Sequence, residues 1–194
     1  TVPSTSHVFV WNFYPDPDAN NMDEAQYVIE RHKMSRSQLR SLKKRPYFRA
    51  NVIDQVVESG ESYVKKYWED DLSDYAPEHG VYRFEVLEYW GMCDTQLLID
   101  NEVEIPDELK DFDELQANIW ICDGKLLRMV LNPFKPAKIP YMAVPYELNP
   151  YSFFLCIRAK YLEDRVEHRD KRSLAQSFQT SLMKICNCLI KQDS

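Results

Sequence analysis

The stretch Ala117-Asn-Ile-Trp-Ile-Cys122-Asp-Gly-Lys125-Leu-Leu-Arg-Met-Val-Leu131 indicates the fold most clearly. Two runs rich in β-branched and large apolar side chains flank Asp123-Gly124. This dipeptide favours a two-residue turn whose twist matches that of paired strands. The stretch therefore predicts a β-hairpin.

The segments before the hairpin predict a further strand and a surface excursion. Apolar and polar side chains alternate through residues 82–90, as in Phe84-Glu85-Val86, which is the period of a half-buried strand. Residues 94–114 are acidic, contain Pro106 and carry only scattered apolar side chains. We expect them to run over the surface with room for one helical turn.

The N-terminal part predicts a short strand followed by helices. Val8–Phe13 is a mostly apolar run that ends in a proline- and aspartate-rich loop. Asn21-Met-Asp-Glu24 resembles a helix start, with Ala25, Val28 and Ile29 following at helical spacing. A first helix is therefore expected here.

Two further helices are predicted beyond Lys33. Ser35-Arg-Ser-Gln38 has the pattern of a capping box, and Pro46 would end that helix. An apolar stripe over residues 52–57 predicts the next helix, which Gly60 would end, and a fourth helix is expected around residues 63–68.

The C-terminal third divides near residue 154. Five prolines interrupt the aromatic segment 132–154, so an edge strand or an extended arm is expected there. Residues 155–194 hold eight Lys plus Arg and five Asp plus Glu, a charge of +3, and the total of −7 leaves −10 for residues 1–154. The sequence thus predicts an α+β domain over 1–154, with short N-terminal helices on an antiparallel sheet, and a divergent helical tail over 155–194.

Composition excludes several classes of protein. With 194 residues and 44% hydrophobic side chains, the chain has enough apolar material for one sizeable core. A net charge of −7 argues against a free-standing DNA-binding module. The chain contains no apolar run of about 18 residues, so nothing marks it for membrane insertion, and synthesis in the cytoplasm is expected. Its five cysteines are scattered without a C-x₂-C pair and are interpreted as buried thiols.

A carboxylate cluster is the first candidate site. Asp16, Asp18, Asp23 and Glu24 could hold a hard divalent cation, as a metal-dependent hydrolase would require. The glycine that lets a calcium loop turn is missing, and so is a bidentate Glu at the expected distance. Turn formation and helix capping are therefore the favoured interpretation, and no metal or other cofactor is predicted.

A basic run is the second candidate site. It contains Arg31, Lys33, Arg36, Arg40, Lys43, Lys44, Arg45 and Arg49, and no acidic residue lies between Arg31 and Arg49. It could contact phosphates as a nucleic-acid adaptor. A solvated helix face, or a face that meets an acidic neighbouring subunit, is favoured over nucleic acid.

Catalytic machinery is not visible in the sequence. The four histidines, His7, His32, His79 and His168, are far apart, and no cysteine lies within an activating motif. The four glycines stand alone and form no phosphate-binding loop. The chain is therefore predicted not to be an enzyme.

The proline-aromatic segment is the last candidate site. Its rings, among them Phe134, Tyr141, Tyr146 and Tyr151, could dock against a neighbouring subunit because stiff aromatic arms lose little entropy on binding. They could equally cover the sheet of their own chain. The sequence leaves both alternatives open.

This same segment resembles a known family. Asn132-Pro-Phe-Lys-Pro-Ala-Lys-Ile-Pro-Tyr-Met-Ala-Val-Pro-Tyr-Glu-Leu-Asn-Pro-Tyr-Ser-Phe-Phe154 is similar to the stretch that leads into the stem helix of portal proteins from short-tailed bacteriophages. Phe13-Tyr-Pro-Asp-Pro-Asp-Ala19, Ala25-Gln-Tyr-Val-Ile-Glu-Arg-His32 and Glu88-Tyr-Trp-Gly-Met-Cys93 resemble the same family in the same order. The resemblance covers most of residues 8–154.

The resemblance implies a structural role in the virion. In that family about a dozen subunits form a ring at one capsid vertex, through which double-stranded DNA is packaged and ejected. It implies an α+β wing domain and, as partners, copies of the same chain together with capsid, packaging-motor and tail proteins. It implies no membrane contact.

The resemblance ends after Phe154. Leu155-Cys-Ile-Arg158 and the residues that follow do not resemble the expected turn and stem helix, and the sign of the charge changes there. We therefore hypothesise a truncated or frame-disrupted prophage copy that lacks the clip and much of the stem.

Overall fold

A computed structural model describes residues 6–60 and 83–143, and an antiparallel sheet dominates them. Its five strands are hydrogen-bonded in the order in which they follow along the chain. They are β1 (Phe13–Pro15), β2 (Tyr27–Ser35), β3 (Arg83–Asp94), β4 (Glu114–Cys122) and β5 (Lys125–Leu131).

Short helices connect and flank these strands. They are α1 (Arg36–Ser41), α2 (Ala50–Ser59) and α3 (Thr95–Asp100), with 3₁₀ turns at Val10–Asn12, Leu42–Lys44 and Asp107–Leu109. The predicted capping box begins α1. The Ser35 hydroxyl accepts a hydrogen bond from the backbone N–H of Gln38, and the side-chain oxygen of Gln38 accepts one from the backbone N–H of Ser35. The predicted helix before Gly60 corresponds to α2. An α+β fold is therefore confirmed.

The strand prediction and the hairpin prediction are also confirmed. Residues 83–90 lie within the longer β3. Asp123 and Gly124 have φ angles of 52° and 68°, the left-handed pair that a two-residue hairpin turn needs. A register shift between Trp120 and Ile121 marks a bulge before this turn.

The predicted first helix is wrong, and the segment forms β2. Asn21 does organise a turn, because its side-chain oxygen accepts hydrogen bonds from the amides of Asp23 and Glu24. The chain then extends, and the adjacent residues Val28 and Ile29 are buried on opposite faces of the sheet. Pairing with β1 and β3 on both sides outweighs the local helical pattern.

The predicted strand at Val8–Phe13 is displaced toward the C terminus. Val10–Asn12 forms a 3₁₀ turn, and the strand runs over Phe13–Pro15 at the edge of the sheet. A proline is tolerated there because an edge strand does not need all its amides for pairing.

Two apolar cores lie on opposite faces of the sheet. On one face, Phe84 and Val86 of β3 pack against the helices α1 and α2. On the other face, Ile119 of β4 packs against Leu98 of α3 and the excursion that follows α3. Because alternate residues of a strand point to opposite faces, the same strands serve both cores.

The excursion from 94 to 114 contains α3 as well as the turn Asp107–Leu109, more helix than the single turn that was expected. Residues 132–143 contain no strand, so the edge-strand alternative is wrong within this range, and the segment bends back so that Asn132 Nδ2 donates to the Lys138 carbonyl at 2.9 Å. Several predictions fall outside the described residues. They are the fourth helix, the rings of Tyr146 and Tyr151, the boundary at 154 and the helical tail over 155–194.

Within 6–60 and 83–143, no helix combines the length and hydrophobicity needed to span a membrane.

Candidate functional site

A row of five side chains crosses the whole sheet, and polar groups occupy its centre. Strand register places Phe13 opposite Glu30, Glu30 opposite Glu88, Glu88 opposite Trp120, and Trp120 opposite Arg128. Directly opposite residues project to the same face, so this row lies on the face that carries α1 and α2.

His32 lies between the two carboxylates of this row. It follows Glu30 by two positions on β2 and therefore shares its face. Its Nε2 is 2.8 Å from Glu88 Oε2, and its Nδ1 is 3.6 Å from Glu30 Oε1. One ligand atom from each of Glu30, His32 and Glu88 lies within 4.8 Å of the others. We call these three residues the Glu-His-Glu cluster.

Neighbouring side chains hold Glu88 in place. The indole Nε1 of Trp90 and the amide Nδ2 of Asn118 donate to Glu88 Oε1, at 2.8 and 3.0 Å. Asn118 is fully buried and in turn accepts a hydrogen bond from Trp120 Nε1 at 3.1 Å. One carboxylate oxygen of Glu88 is therefore occupied by fixed donors, and the other faces His32.

The imidazole of His32 also has a fixed orientation. It stacks on the indole of Trp120, with ring centroids 5.1 Å apart and the planes 5° from parallel. The Phe48 ring packs nearly perpendicular to the same indole, with ring centroids 5.5 Å apart. The ring is thus held by packing as well as by the carboxylates.

The proline-aromatic arm closes over the cluster. The Tyr141 hydroxyl donates to Glu30 Oε2 at 2.6 Å, and its ring lies 5.2 Å from that of Phe13. Burial, followed by the Glu88 and Glu30 carboxylates, raises the pKa of Tyr141 far above its usual range. Phe134 contacts Trp90 at 5.9 Å yet remains half-exposed. Both predicted interface rings in the described part of the arm therefore contact their own sheet.

The cluster is rich in negative charge. Two carboxylates directly opposite each other on neighbouring strands repel. Burial lowers the pKa of the nearby Arg128 guanidinium, and the Glu88 carboxylate partly offsets this effect. The Arg128 guanidinium also lies 5.3 Å from the centre of the Phe48 ring. The site thus combines paired carboxylates with the partly buried Arg128 guanidinium on the same face.

The carboxylates that the sequence singled out have local structural roles. Asp16 is buried, and its two oxygens accept hydrogen bonds from the amides of Asp18 and Gln26, at 3.0 and 3.2 Å. Glu24 accepts hydrogen bonds from Asn20 and Asn21, and these donors lower its pKa. Within residues 6–60 and 83–143, one group of at least three His, Cys or acidic side chains has ligand atoms close enough to share a metal ion. This group is the Glu-His-Glu cluster. The structure therefore gives Asp16 and Glu24 the predicted turn-forming role.

The predicted basic face is broken up by intramolecular contacts. Arg40, Lys44 and Arg45 are exposed on α1 and the turn after it. Lys43 forms an ion pair with Asp54 of α2, and Arg49 donates to the Asn101 carbonyl at 3.2 Å. Arg36 is partly buried at the start of α1. Arg31, the first residue of the predicted run, is buried on the opposite face of the sheet and pairs with Glu85 at 3.0 Å, so it is not part of an exposed basic face.

An acidic layer covers the other side of the sheet. Residues 94–114 contain nine Asp plus Glu and one Lys, and all nine acidic residues are exposed. Their segment packs through Leu98, Val103 and Ile105 on the face opposite α1 and α2. The basic and acidic segments therefore pack mainly on opposite faces of the sheet and meet where Arg49 donates to Asn101.

The Glu-His-Glu cluster was not predicted from the sequence. A helical interpretation of residues 25–32 places Glu30 and His32 on different sides, because residues two apart on a helix do not face each other. On a strand the same spacing places them on one face. Reading Glu30-Arg-His32-Lys as an alternating strand would have signalled the pair.

Comparisons with known proteins do not assign the chain to a family. No family model matches the sequence, and no curated protein matches it significantly.

Proposed function

We propose that this chain is a structural, non-catalytic subunit of a phage portal ring, or a truncated remnant of one. In that role it would sit at the capsid vertex of a virion, on the path by which double-stranded DNA is packaged and ejected. Its partners would be copies of itself and the capsid, packaging-motor and tail proteins. The proposal comes from the ordered resemblance over residues 8–154, and the α+β fold is compatible with a wing domain.

The opposed charged layers carry the structural side of this proposal. A ring is built from heterologous contacts, in which one surface of a subunit meets a different surface of the next. Such contacts need two complementary surfaces that one molecule presents in different directions. The basic segment around α1 and the acidic segment 94–114 meet this requirement, because they pack on opposite faces of the sheet.

The side chains available for this contact are exposed. On the basic layer they are Arg40, Lys44 and Arg45, and on the acidic layer they include Glu108 and Asp111. Charge complementarity of this kind sets the partner and the orientation more than it sets the affinity. An apolar contribution would come from Phe112, which is 58% exposed within the acidic layer.

The described part of the arm follows the second of the two alternatives that the sequence left open, in which the rings cover the sheet of their own chain. Tyr141 and Phe134 contact their own sheet, so residues 132–143 of the arm stabilise the fold of the subunit itself. The exposed part of Phe134 and the exposed Met142 remain available to a neighbour. We place the principal subunit contact on the charged layers.

The role of nucleic-acid adaptor is less well supported by this geometry. Lys43 and Arg49 already have intramolecular partners, so the basic face offers fewer cations to phosphates than the sequence count suggests. Each phosphate contact requires a cation that is free to neutralise it.

Charge reversal tests the proposed contact. We expect Arg40→Glu combined with Lys44→Glu to weaken self-association of the full chain by about tenfold, the equivalent of ~1.4 kcal/mol, because several attractive pairs become repulsive. Sedimentation velocity at low and high salt measures this effect. Lys43 is left unchanged because its reversal would break the pair with Asp54.

The matched control restores the attraction. Adding Glu108→Lys and Asp111→Lys to the double variant should recover association, whereas these two changes by themselves should weaken it. Asp107 is left unchanged because it pairs with Lys110. An oligomer that ignores all three variants, or a chain that remains monomeric at every concentration, contradicts the proposed contact. Mass photometry tests the separate hypothesis that the chain is a truncated copy unable to assemble. A closed ring of about a dozen subunits would contradict that hypothesis.

A further inference from the structure

The Glu-His-Glu cluster offers the ligand set of a transition-metal ion. Glu30 and Glu88 supply carboxylate oxygens, and His32 supplies an imidazole nitrogen. We propose that Glu30, His32 and Glu88 bind a first-row divalent transition-metal ion such as Mn²⁺. This inference does not depend on the ring proposal, because the ligands come from one subunit.

The charges of the cluster favour a divalent cation. Glu30 and Glu88 lie directly opposite each other across β2 and β3. A single divalent ion balances both carboxylates, whereas a protonated imidazole balances only one of them. The cation–carboxylate attraction is strengthened by partial burial, since screening by water is reduced there.

The distances require only small adjustments. Ligand atoms that share one ion at about 2.1 Å lie about 3–3.5 Å from each other. One ligand atom from each of the three residues already lies within 4.8 Å of the others, and an ion bound to His32 Nε2 would replace the present 2.8 Å contact of that nitrogen with Glu88 Oε2. Glu30 and Glu88 have flexible side chains that can move by these amounts. The side chains of Glu30, His32 and Glu88 retain 18%, 22% and 12% of their exposure, which leaves a route for the ion.

A supporting shell of hydrogen bonds orients these ligands. Metal-binding carboxylates are commonly held by a second layer of donors, and losing such a donor costs about 10- to 100-fold in affinity. Here Trp90 and Asn118 donate to Glu88, and Tyr141 donates to Glu30. Stacking on Trp120 fixes the plane of the His32 ring.

The donor set selects among metals. Ca²⁺ prefers six to eight oxygen ligands, and this cluster offers two carboxylates and a nitrogen. Imidazole with carboxylates suits Mn²⁺, Fe²⁺, Co²⁺ and Zn²⁺. With three protein ligands, coordination positions remain open for water or for the Tyr141 hydroxyl.

A bound ion would join separate parts of the chain. Two ligands come from β2 and one from β3, and Tyr141 connects the arm to Glu30. The ion would therefore stabilise the pairing of two central strands and the closure of the arm over them.

Mn²⁺ binding to the full chain tests the proposal. Mn²⁺ is chosen because, unlike Zn²⁺, it has little affinity for the thiols of the five cysteines. We expect saturable binding by titration calorimetry after chelator treatment, and weaker binding of Ca²⁺. In proton NMR, paramagnetic Mn²⁺ should broaden the ring signals of His32 before those of the exposed His7.

Variants identify the ligands. Glu88→Gln and His32→Ala should abolish saturable binding, and Tyr141→Phe should weaken it by about tenfold. Glu114→Gln and His7→Ala are matched controls at exposed positions and should bind as the unmodified chain does. Circular dichroism verifies that each variant is folded.

Several results would overturn the proposal. They are the absence of saturable Mn²⁺ binding at millimolar metal, equal affinity for Ca²⁺, and broadening of His7 in parallel with His32. The NMR result is obtained on the unmodified chain, so it decides the question even if a variant fails to fold. None of these measurements depends on the oligomeric state, so their failure is distinguishable from failure of the ring proposal.

Discussion

Gly91 provides a sharp test of how the two central strands are held in register. It lies opposite Tyr27 in the ladder between β2 and β3. A Cβ atom at Gly91 would lie 2.5 Å from Tyr27 Cβ, 2.7 Å from the Gln26 carbonyl oxygen and 2.8 Å from Tyr27 Cα. These atoms cannot withdraw easily, because Gln26 O accepts a hydrogen bond from Met92 N and Tyr27 O accepts one from Asp16 N.

The magnitude follows from two opposing effects of Gly91→Ala. The φ angle of Gly91 lies outside the left-handed region, so alanine would ordinarily stabilise the protein by about 0.4–1 kcal/mol through the unfolded state. Overpacking against fixed atoms costs about 1–3 kcal/mol. Because the crowded atoms belong to the backbone and its first side-chain carbon, the cost should reach the upper end of this range, about 3 kcal/mol, and we expect a net loss of about 2 kcal/mol.

Urea denaturation measures this loss. With a slope of about 2 kcal/mol per molar, the midpoint should fall by about 1 M. Gly124→Asn is the control, because Gly124 has open space around it and asparagine tolerates its positive φ. A midpoint that is unchanged or raised in Gly91→Ala would refute the steric argument. Glu30 and Glu88 lie three positions away along the two strands, so Mn²⁺ affinity should fall in the same variant.

Two further predictions concern a helix cap and a buried phenol. Ser35→Ala removes one half of the capping box and should lower the free energy of unfolding by about 1 kcal/mol, measured in urea against the exposed control Ser6→Ala. Burial raises the pKa of Tyr89 well above its ordinary value of 10.0. The neutral phenol therefore stabilises the folded state fully below about pH 10, and this contribution is lost as the pH rises from there toward the raised pKa. Unfolding at several alkaline pH values should therefore show a shallower decline for Tyr89→Phe, by up to ~1.4 kcal/mol per pH unit, and parallel declines would contradict this assignment.

The elements that the sequence predicted well are determined by local interactions. The turn Asp123-Gly124 requires left-handed backbone at both positions, and few dipeptides provide it. The box Ser35 to Gln38 satisfies amides within its own turn. The stripe in α2 buries Ile53, Val56 and Val57 with helical spacing. In each case a few adjacent residues contain the whole physical reason.

Strand β2 could not be predicted in this way, because its conformation depends on distant partners. Val28 and Ile29 are adjacent and both fully or nearly fully buried, which happens only when both faces of a strand are covered. Covering both faces requires the neighbouring strands β1 and β3, together with the helices α1 and α2 on one face and the acidic segment 94–114 on the other. All of these come from elsewhere in the chain. A short apolar pattern is compatible with either helix or strand until those partners are known.

The same dependence concealed the candidate site. Glu30 and Glu88 are 58 positions apart in sequence and become neighbours only through the register of β2 and β3. The residues that the sequence singled out instead, such as Asp16 and Glu24, are neighbours in sequence and serve their own loop. Sequence proximity is therefore a poor guide to a site built across strands.

The alternation of β3 also explains how one small sheet could serve two separate roles. Glu88 points to the face covered by the arm, whereas the flanking Leu87 and Tyr89 pack against the core beneath the acidic layer. A substitution that removes only the Glu88 carboxylate leaves that core and its acidic surface in place. Glu88→Gln should therefore abolish Mn²⁺ binding without changing self-association, while Arg40→Glu with Lys44→Glu should do the reverse. Loss of both properties in either variant would mean that the cluster and the charged layers form one coupled unit.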